Sequence, residues 1–140
     1  MRRAVARSAF RPRIEVCGIG AAAAAQVAEA ALASKPLQRA LVVGLCGFLV
    51  PGLRVGDAAI YRSVQSVQDE GVALDVDSGP FEELGTLLPS AHKVRAVQSG
   101  AIVALPSEKS ALAERFDVQA VDMESFTLLE RLRRGGVEVG

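Results

Sequence analysis

The sequence predicts an α/β domain with a parallel or mixed sheet under alanine-rich helices, and three observations predict it. Half of the 140 residues are apolar, only 4% are aromatic, and Ala, Val and Leu dominate, which suits a helix-covered sheet better than an all-β sandwich. Ile14–Cys17 reads as a strand that turns through Gly18–Ile19–Gly20 directly into the alanines at 21–25. Near the other end, the short apolar strand Ala120–Val121 passes through Asp122–Met123–Glu124–Ser125 into a helical pattern.

The elements follow in order. Ala21–Ala33 has the strongest helix propensity in the chain, and Lys35–Pro36 stops it. Ala40–Val43 is a second apolar strand, ending at Gly44 and expected to lie parallel to the first across a right-handed crossover. After Pro51–Gly52, the turn Leu53–Asp57 leads into a strand from Ala58 to Tyr61 that continues through Val64 and Val67. Asp69 to Pro80 is acidic, rich in turn residues and without period, the mark of a hairpin tip or mobile loop, and Pro80–Leu88 forms a short helix. Lys93–Val97 and Ala101–Leu105 are strands around Ser99–Gly100, and Ser107–Phe116 is a helix with Ser107 as N-cap and Glu108 in its first turn. In the last helix, Phe126–Arg134, Met123, Phe126, Leu129 and Leu132 share a face. Arg131, Arg133 and Arg134 favour its C-terminal dipole, and Gly135–Gly136 ends it.

Charge and cysteine usage narrow the function. The 16 basic and 16 acidic residues cancel, so no global field draws nucleic acid or an anionic membrane, and a small neutral or weakly charged ligand fits better. Cys17 and Cys46 stand in apolar contexts without metal spacing, which reads as two buried thiols in a reducing, cytoplasmic setting. The apolar run Leu41–Val50 is too short and glycine-interrupted to span a bilayer. Arginines at 2, 3, 7, 11 and 13 precede the first acid, a pattern shared with transit peptides, although Pro12 breaks the amphipathic helix such a peptide needs. Residues 1–13 are therefore read as a basic, disordered segment ahead of a single domain at 14–140.

Several segments could carry chemistry. Gly18–Ile19–Gly20 has half of a dinucleotide fingerprint, but Ala23 stands where a third glycine is wanted and no acid ends the next strand, so no nicotinamide or flavin cofactor is expected. Gly44–Leu45–Cys46–Gly47 is either a ligand platform at the carboxyl end of a strand or plain close packing. Asp122 is a credible helix cap. Glu124, between Met123 and Phe126, offers a bidentate acceptor suited to two adjacent sugar hydroxyls. His92, the only histidine, reads as loop surface, no Ser–His–Asp or Cys–His pairing can be argued, and no spacing supports a metal.

Taken in order, these segments resemble the nucleoside phosphorylase and nucleosidase superfamily. Gly18–Ile19–Gly20 with its alanines, Gly44–Leu45–Cys46–Gly47 through Arg54–Val55–Gly56–Asp57, Ser99–Gly100 and Ala120–Ser125 match its motifs over roughly residues 14 to 139. The resemblance implies a three-layer α/β/α sandwich around a mixed sheet, a small-molecule nucleoside ligand, a homo-oligomer, and cleavage of an N-glycosidic bond through an oxocarbenium-like sugar. It implies that Glu124 holds the ribose hydroxyls, Met123 packs on the sugar, and Cys46–Gly47 with Ser99–Gly100 line the base and sugar pocket. Where phosphorylases of this resemblance carry an Arg and a Ser for phosphate, the chain has Val42 and Leu45, which tilts the nucleophile from inorganic phosphate toward water. The Asp that commonly protonates the leaving base belongs to a strand beginning where Val137–Gly140 stands, so no catalytic residue is assigned. The alternative reading is a nucleoside-binding relative without turnover, on a chain short at both ends, with Phe48–Leu49–Val50 as an exposed contact patch.

Overall fold

The structure, a computed structural model, describes residues 12–34 and 36–140. The expected basic segment thus lies mostly outside the described residues. Helix α1 (Ala21–Ser34) forms where predicted. Strands β1 (Arg39–Ala40) and β2 (Gly47–Phe48) are short, and β3 (Ala59–Ser66) is the longest. They are followed by β4 (Ala73–Asp75), α2 (Ser78–Leu87), β5 (His92–Gln98), α3 (Pro106–Phe116), β6 (Ala120–Asp122), α4 (Ser125–Arg134) and β7 (Glu138–Val139).

The main sheet has five strands in the order β2-β6-β5-β3-β4. β6, β5 and β3 run parallel, and β2 and β4 close the edges antiparallel. β1 pairs in parallel with β7 in a separate ladder. The sheet is therefore mixed, as predicted, and helices lie on both of its faces. On one face Ala24 and Ala28 of α1 and Phe126, Leu129 and Leu132 of α4 pack on Val64, Val94, Ala96 and Ala120. On the other face Phe116 of α3 packs with Leu49, Val97, Val118 and Val121. Strand alternation accounts for the division, since Ala96 and Ala120 point one way and Val97 and Val121 the other. β3 carries an extra residue between Tyr61 and Ser63 relative to β5, a bulge that reverses the alternation after Arg62.

Four expectations are corrected. Among the described residues Ile14–Cys17 forms no strand, so the parallel partnership with residues 40–43 does not form, and of Ala40–Val43 only Ala40 lies within a strand, β1, although the Val42 amide still donates to the Gly140 carbonyl at 2.8 Å. Ala101–Leu105 is also unpaired; the chain there only bridges β5 to α3, which begins at Pro106 after Leu105 rather than at a Ser107 cap. The segment 69–80, expected as a hairpin tip or loop, is a hairpin turn only as far as Val72 and continues into β4 and the first turn of α2. Phe48–Leu49–Val50 is not an exposed patch, because Leu49 is buried and Phe48 packs on the first core. Apolar residues that do face solvent include Ile14 and Val16 before α1 and Leu41, Val43 and Leu45 between β1 and β2.

Candidate functional site

Parallel pairing brings the carboxyl ends of β3, β5 and β6 into line. Ser66 lies opposite Gln98, and Gln98 opposite Asp122, so Ser99–Gly100 and Met123–Glu124 leave the sheet side by side. The Ser99 amide donates to the Asp122 carbonyl at 2.8 Å. β2 enters from the same end, with Gly47 opposite Val121 and Cys46 therefore beside Asp122. A Cβ on Gly47 would meet Val121 Cγ1 at 3.3 Å, which explains a glycine at this close approach. Glu124, Met123, Cys46, Gly47, Ser99 and Gly100 thus all stand at one end of the sheet, the end where open α/β sheets bind ligands.

The acid turn is tightly built. Asp122 Oδ1 accepts the amides of Glu124 at 3.2 Å and Ser125 at 3.1 Å, and Gln98 Oε1 accepts the Thr127 amide at 2.9 Å. The Ser125 and Thr127 amides in the first turn of α4 are therefore satisfied by side chains and are not free to cradle a phosphate. Glu124 is half-buried. Its Oε1 accepts the Gly20 amide at 2.6 Å, and its Oε2 lies 3.3 Å from the Met123 amide. Gly20 reaches this position with φ of 91°, a conformation that other residues adopt only at a cost. A carboxylate has about four acceptor positions, so Glu124 keeps acceptor capacity after both contacts.

Other expectations resolve at the level of side chains. Ser99 is buried and its hydroxyl donates to the Ala101 carbonyl, so its side chain is engaged within its own loop while Gly100 is exposed. Cys17 is half-buried and Cys46 exposed, so they are not the buried thiol pair expected. Burial and then the nearby Glu124 carboxylate push the Cys17 thiol up. Burial also raises the Cys46 thiol, although Tyr61 beside it works in the opposite direction. His92 opens β5 at the other end of the sheet, with Nε2 at 3.5 Å from Asp57 Oδ2, and takes no part in the acid turn.

Sequence reasoning missed Gly20 and Gln98 as parts of this site. Gly20 was legible only as a turn. Nothing local marks Gln98, because only its place in β5 beside β6 brings it to α4. A shallow cleft of about 360 Å³ lined by Asp77, Ser78, Arg133, Gly136, Val137 and Glu138 lies away from these residues, where α4 has returned to the opposite end of the sheet. Its guanidinium is already paired, Arg133 Nη2 to Asp77 Oδ1 at 2.6 Å, and the chemistry favours the Glu124 end. Among the described residues no ion pair involves Asp122 or Glu124, no group of three or more His, Cys, Asp or Glu could hold a metal, and no helix is long and apolar enough to cross a membrane.

No family model matches the sequence, and no curated protein matches it. Solved structures do match the fold. A mutant of Helicobacter pylori methylthioadenosine nucleosidase with 5′-methylthioadenosine in its active site aligns at a TM-score of 0.78 and 15% identity, over 88% of this chain and 61% of that one. A futalosine hydrolase mutant from the same organism aligns at 0.77 and 15% identity, over 86% of this chain and 64% of that one. The H. pylori methylthioadenosine/S-adenosylhomocysteine nucleosidase with butyl-thio-DADMe-Immucillin-A aligns at 0.78 and 16%. The chain spans less than two thirds of the length of these structures, and over that span it has the nucleosidase fold.

Proposed function

We propose that the chain binds a nucleoside at the carboxyl ends of β5 and β6, with Glu124 accepting both sugar hydroxyls, and that water cleaves the N-glycosidic bond. The carrying observation is the clamped Glu124: its carboxylate is held by the Gly20 amide at 2.6 Å and retains acceptor capacity. Fixed in advance, it accepts a diol with little further ordering cost, and its negative charge stabilises the cationic character that the sugar gains as the bond to the base lengthens. Met123 then packs on the sugar, and Cys46–Gly47 with Ser99–Gly100 line the pocket, Ser99 through its backbone. Water is preferred to phosphate because Val42 and Leu45 supply no positive charge, Leu45 is exposed, and the Glu124 carboxylate repels an anion. No cofactor is required by this chemistry, and the residue that protonates the leaving base is unassigned.

A second reading, a nucleoside binder without turnover, is favoured by the remoteness of His92, the only histidine, from Glu124. Calorimetry with adenosine, inosine, uridine and 5′-methylthioadenosine, on wild type and Glu124→Ala, tests the site. Binding is expected in wild type and lost in the variant; no binding by the folded wild type removes both readings. Base release measured with and without phosphate then separates enzyme from binder and names the nucleophile. We also propose a homo-oligomer, which the exposed Leu41, Val43 and Leu45 support; a monodisperse monomer in light scattering counts against it.

A further inference from the structure

We propose that Gln98 is a positioning residue for this site: it caps α4 in place of Glu124, and so leaves the Glu124 carboxylate free to meet the Gly20 amide and the sugar. The inference rests on reading Glu124 as the acceptor of a sugar diol.

Glu124 is the N-cap residue of α4, the position whose side chain ordinarily accepts an amide two or three residues into the helix. It makes no such bond. Its Oε1 accepts the Gly20 amide at 2.6 Å instead, and its Oε2 lies 3.3 Å from the Met123 amide. Two other side chains do the capping. Asp122 Oδ1 takes the Glu124 and Ser125 amides, and Gln98 Oε1 takes the Thr127 amide, the one an N-cap side chain would hold, at 2.9 Å.

Val94, Ala96 and Gln98 alternate onto one face of β5, and on that face Val94 and Ala96 pack in the core with α4. Gln98 ends this apolar row. Its carboxamide is 6% exposed, and both of its ends engage Thr127, since Nε2 donates to Thr127 Oγ1 at 2.9 Å while Oε1 accepts the amide. The pair of bonds fixes which way the carboxamide points, because a backbone amide can only donate. Being neutral, Gln98 caps the helix without setting a further negative charge beside Asp122 and Glu124.

Without Oε1 the part-buried Thr127 amide has lost its acceptor, and leaving a buried donor unpaired is costly. The carboxylate placed to take it is that of the N-cap residue, Glu124. A Glu124 turned back onto its own helix releases Gly20 and is displaced from the sugar.

Gln98→Met keeps the bulk of the side chain and removes the acceptor. Amide exchange followed by nuclear magnetic resonance reads the inference without a ligand. In Gln98→Met the Gly20 amide should exchange roughly tenfold faster, while the Thr127 amide keeps its protection, now from Glu124. A purely structural role predicts the reverse, a Thr127 amide that exchanges faster and a Gly20 amide that does not, and that result would overturn the inference. Adding Glu124→Ala to Gln98→Met should then strip protection from Thr127; protection that persists overturns it as well. Calorimetry with adenosine and 2′,3′-dideoxyadenosine, which offers Glu124 neither hydroxyl, reads the site itself. We expect the preference for adenosine to fall roughly tenfold in Gln98→Met with dideoxyadenosine affinity little changed, and an undiminished preference counts against the role of Gln98. Should Gln98→Met not fold, Gln98→Asn, whose carboxamide stops one carbon short of the Thr127 amide, carries the same expectations. Failure of wild type to bind adenosine, or to prefer it over the dideoxynucleoside, refutes the proposed function instead, and the exchange result still decides the role of Gln98.

Discussion

Removing the Asp77 carboxylate should destabilise the fold by about 2–3 kcal/mol at neutral pH, and the loss should fade in acid. Asp77 stands just before α2, where Oδ1 receives Arg133 Nη2 at 2.6 Å and Oδ2 receives the Val139 amide at 2.7 Å, tying the end of α4 and β7 to β4. A hydrogen bond to a charged acceptor contributes about 1.5–3 kcal/mol. The ion pair adds less, about 0.5 kcal/mol, because the two side chains are 29% and 31% exposed and Arg133 can turn to water when its partner is gone. For Asp77→Ala this corresponds to a melting temperature lower by roughly 6–12 °C. The Arg133 guanidinium, and after it the Val139 amide, hold the Asp77 carboxyl below its ordinary value against the opposing effect of burial. Its stabilisation is thus complete above the unfolded carboxylate pKa, about 3.9, and is lost as pH falls through the lower folded value. Urea melts of wild type and Asp77→Ala at neutral pH and in steps below pH 4 provide the assay. A neutral-pH difference under about 0.5 kcal/mol, or one that does not narrow in acid, would refute the reasoning.

Other consequences are simpler to check. Leu129 is 2% exposed in the core under α4, so Leu129→Ala should cost about 2–5 kcal/mol in chemical denaturation, and a loss below 1 kcal/mol would contradict the packing described. Gly20→Ala has open space for a methyl group but the wrong backbone preference, so it should lose about 1–2 kcal/mol and weaken nucleoside binding through the displaced Glu124 clamp; unchanged affinity would show that the clamp does not matter. Alkylation of Cys46 should precede that of Cys17, with both rates still climbing above the ordinary thiol range, and mass spectrometry that finds Cys17 modified first would reverse the assignment.

The sequence was most legible where local pattern and tertiary need agree. The strand expected at Lys93–Val97 and the apolar face of Phe126, Leu129 and Leu132 became β5 and α4 within a residue or two, because each pattern is buried as its period demands. Ile14–Cys17 looks equally strand-like, but a strand exists only through a hydrogen-bonded neighbour, and these residues have none. β4 was hidden because Ala73–Asp75 is too short and mixed to show alternation, and it is specified by pairing with Ser63–Gln65. Of the candidate site, the acid turn and the glycine turn could be read from residue types. The clamp of Gly20 on Glu124 could not, since it joins residues 104 apart in the chain.

The Gly20–Glu124 hydrogen bond spans 104 residues of chain, which has a consequence for the order of folding. Closing so large a loop costs about 4 kcal/mol of chain entropy before the contact returns anything, whereas β5, α3, β6 and α4 are neighbours in sequence and can associate first. We therefore expect the glycine turn to dock late, after the transition state. Gly20→Ala should then accelerate unfolding and leave the refolding rate almost unchanged, and a slowed refolding rate would place the contact in the nucleus instead. On this ordering the acid turn is shaped early, but the sugar acceptor is locked only when the whole chain is home, so a partly folded molecule would have the turn without the affinity.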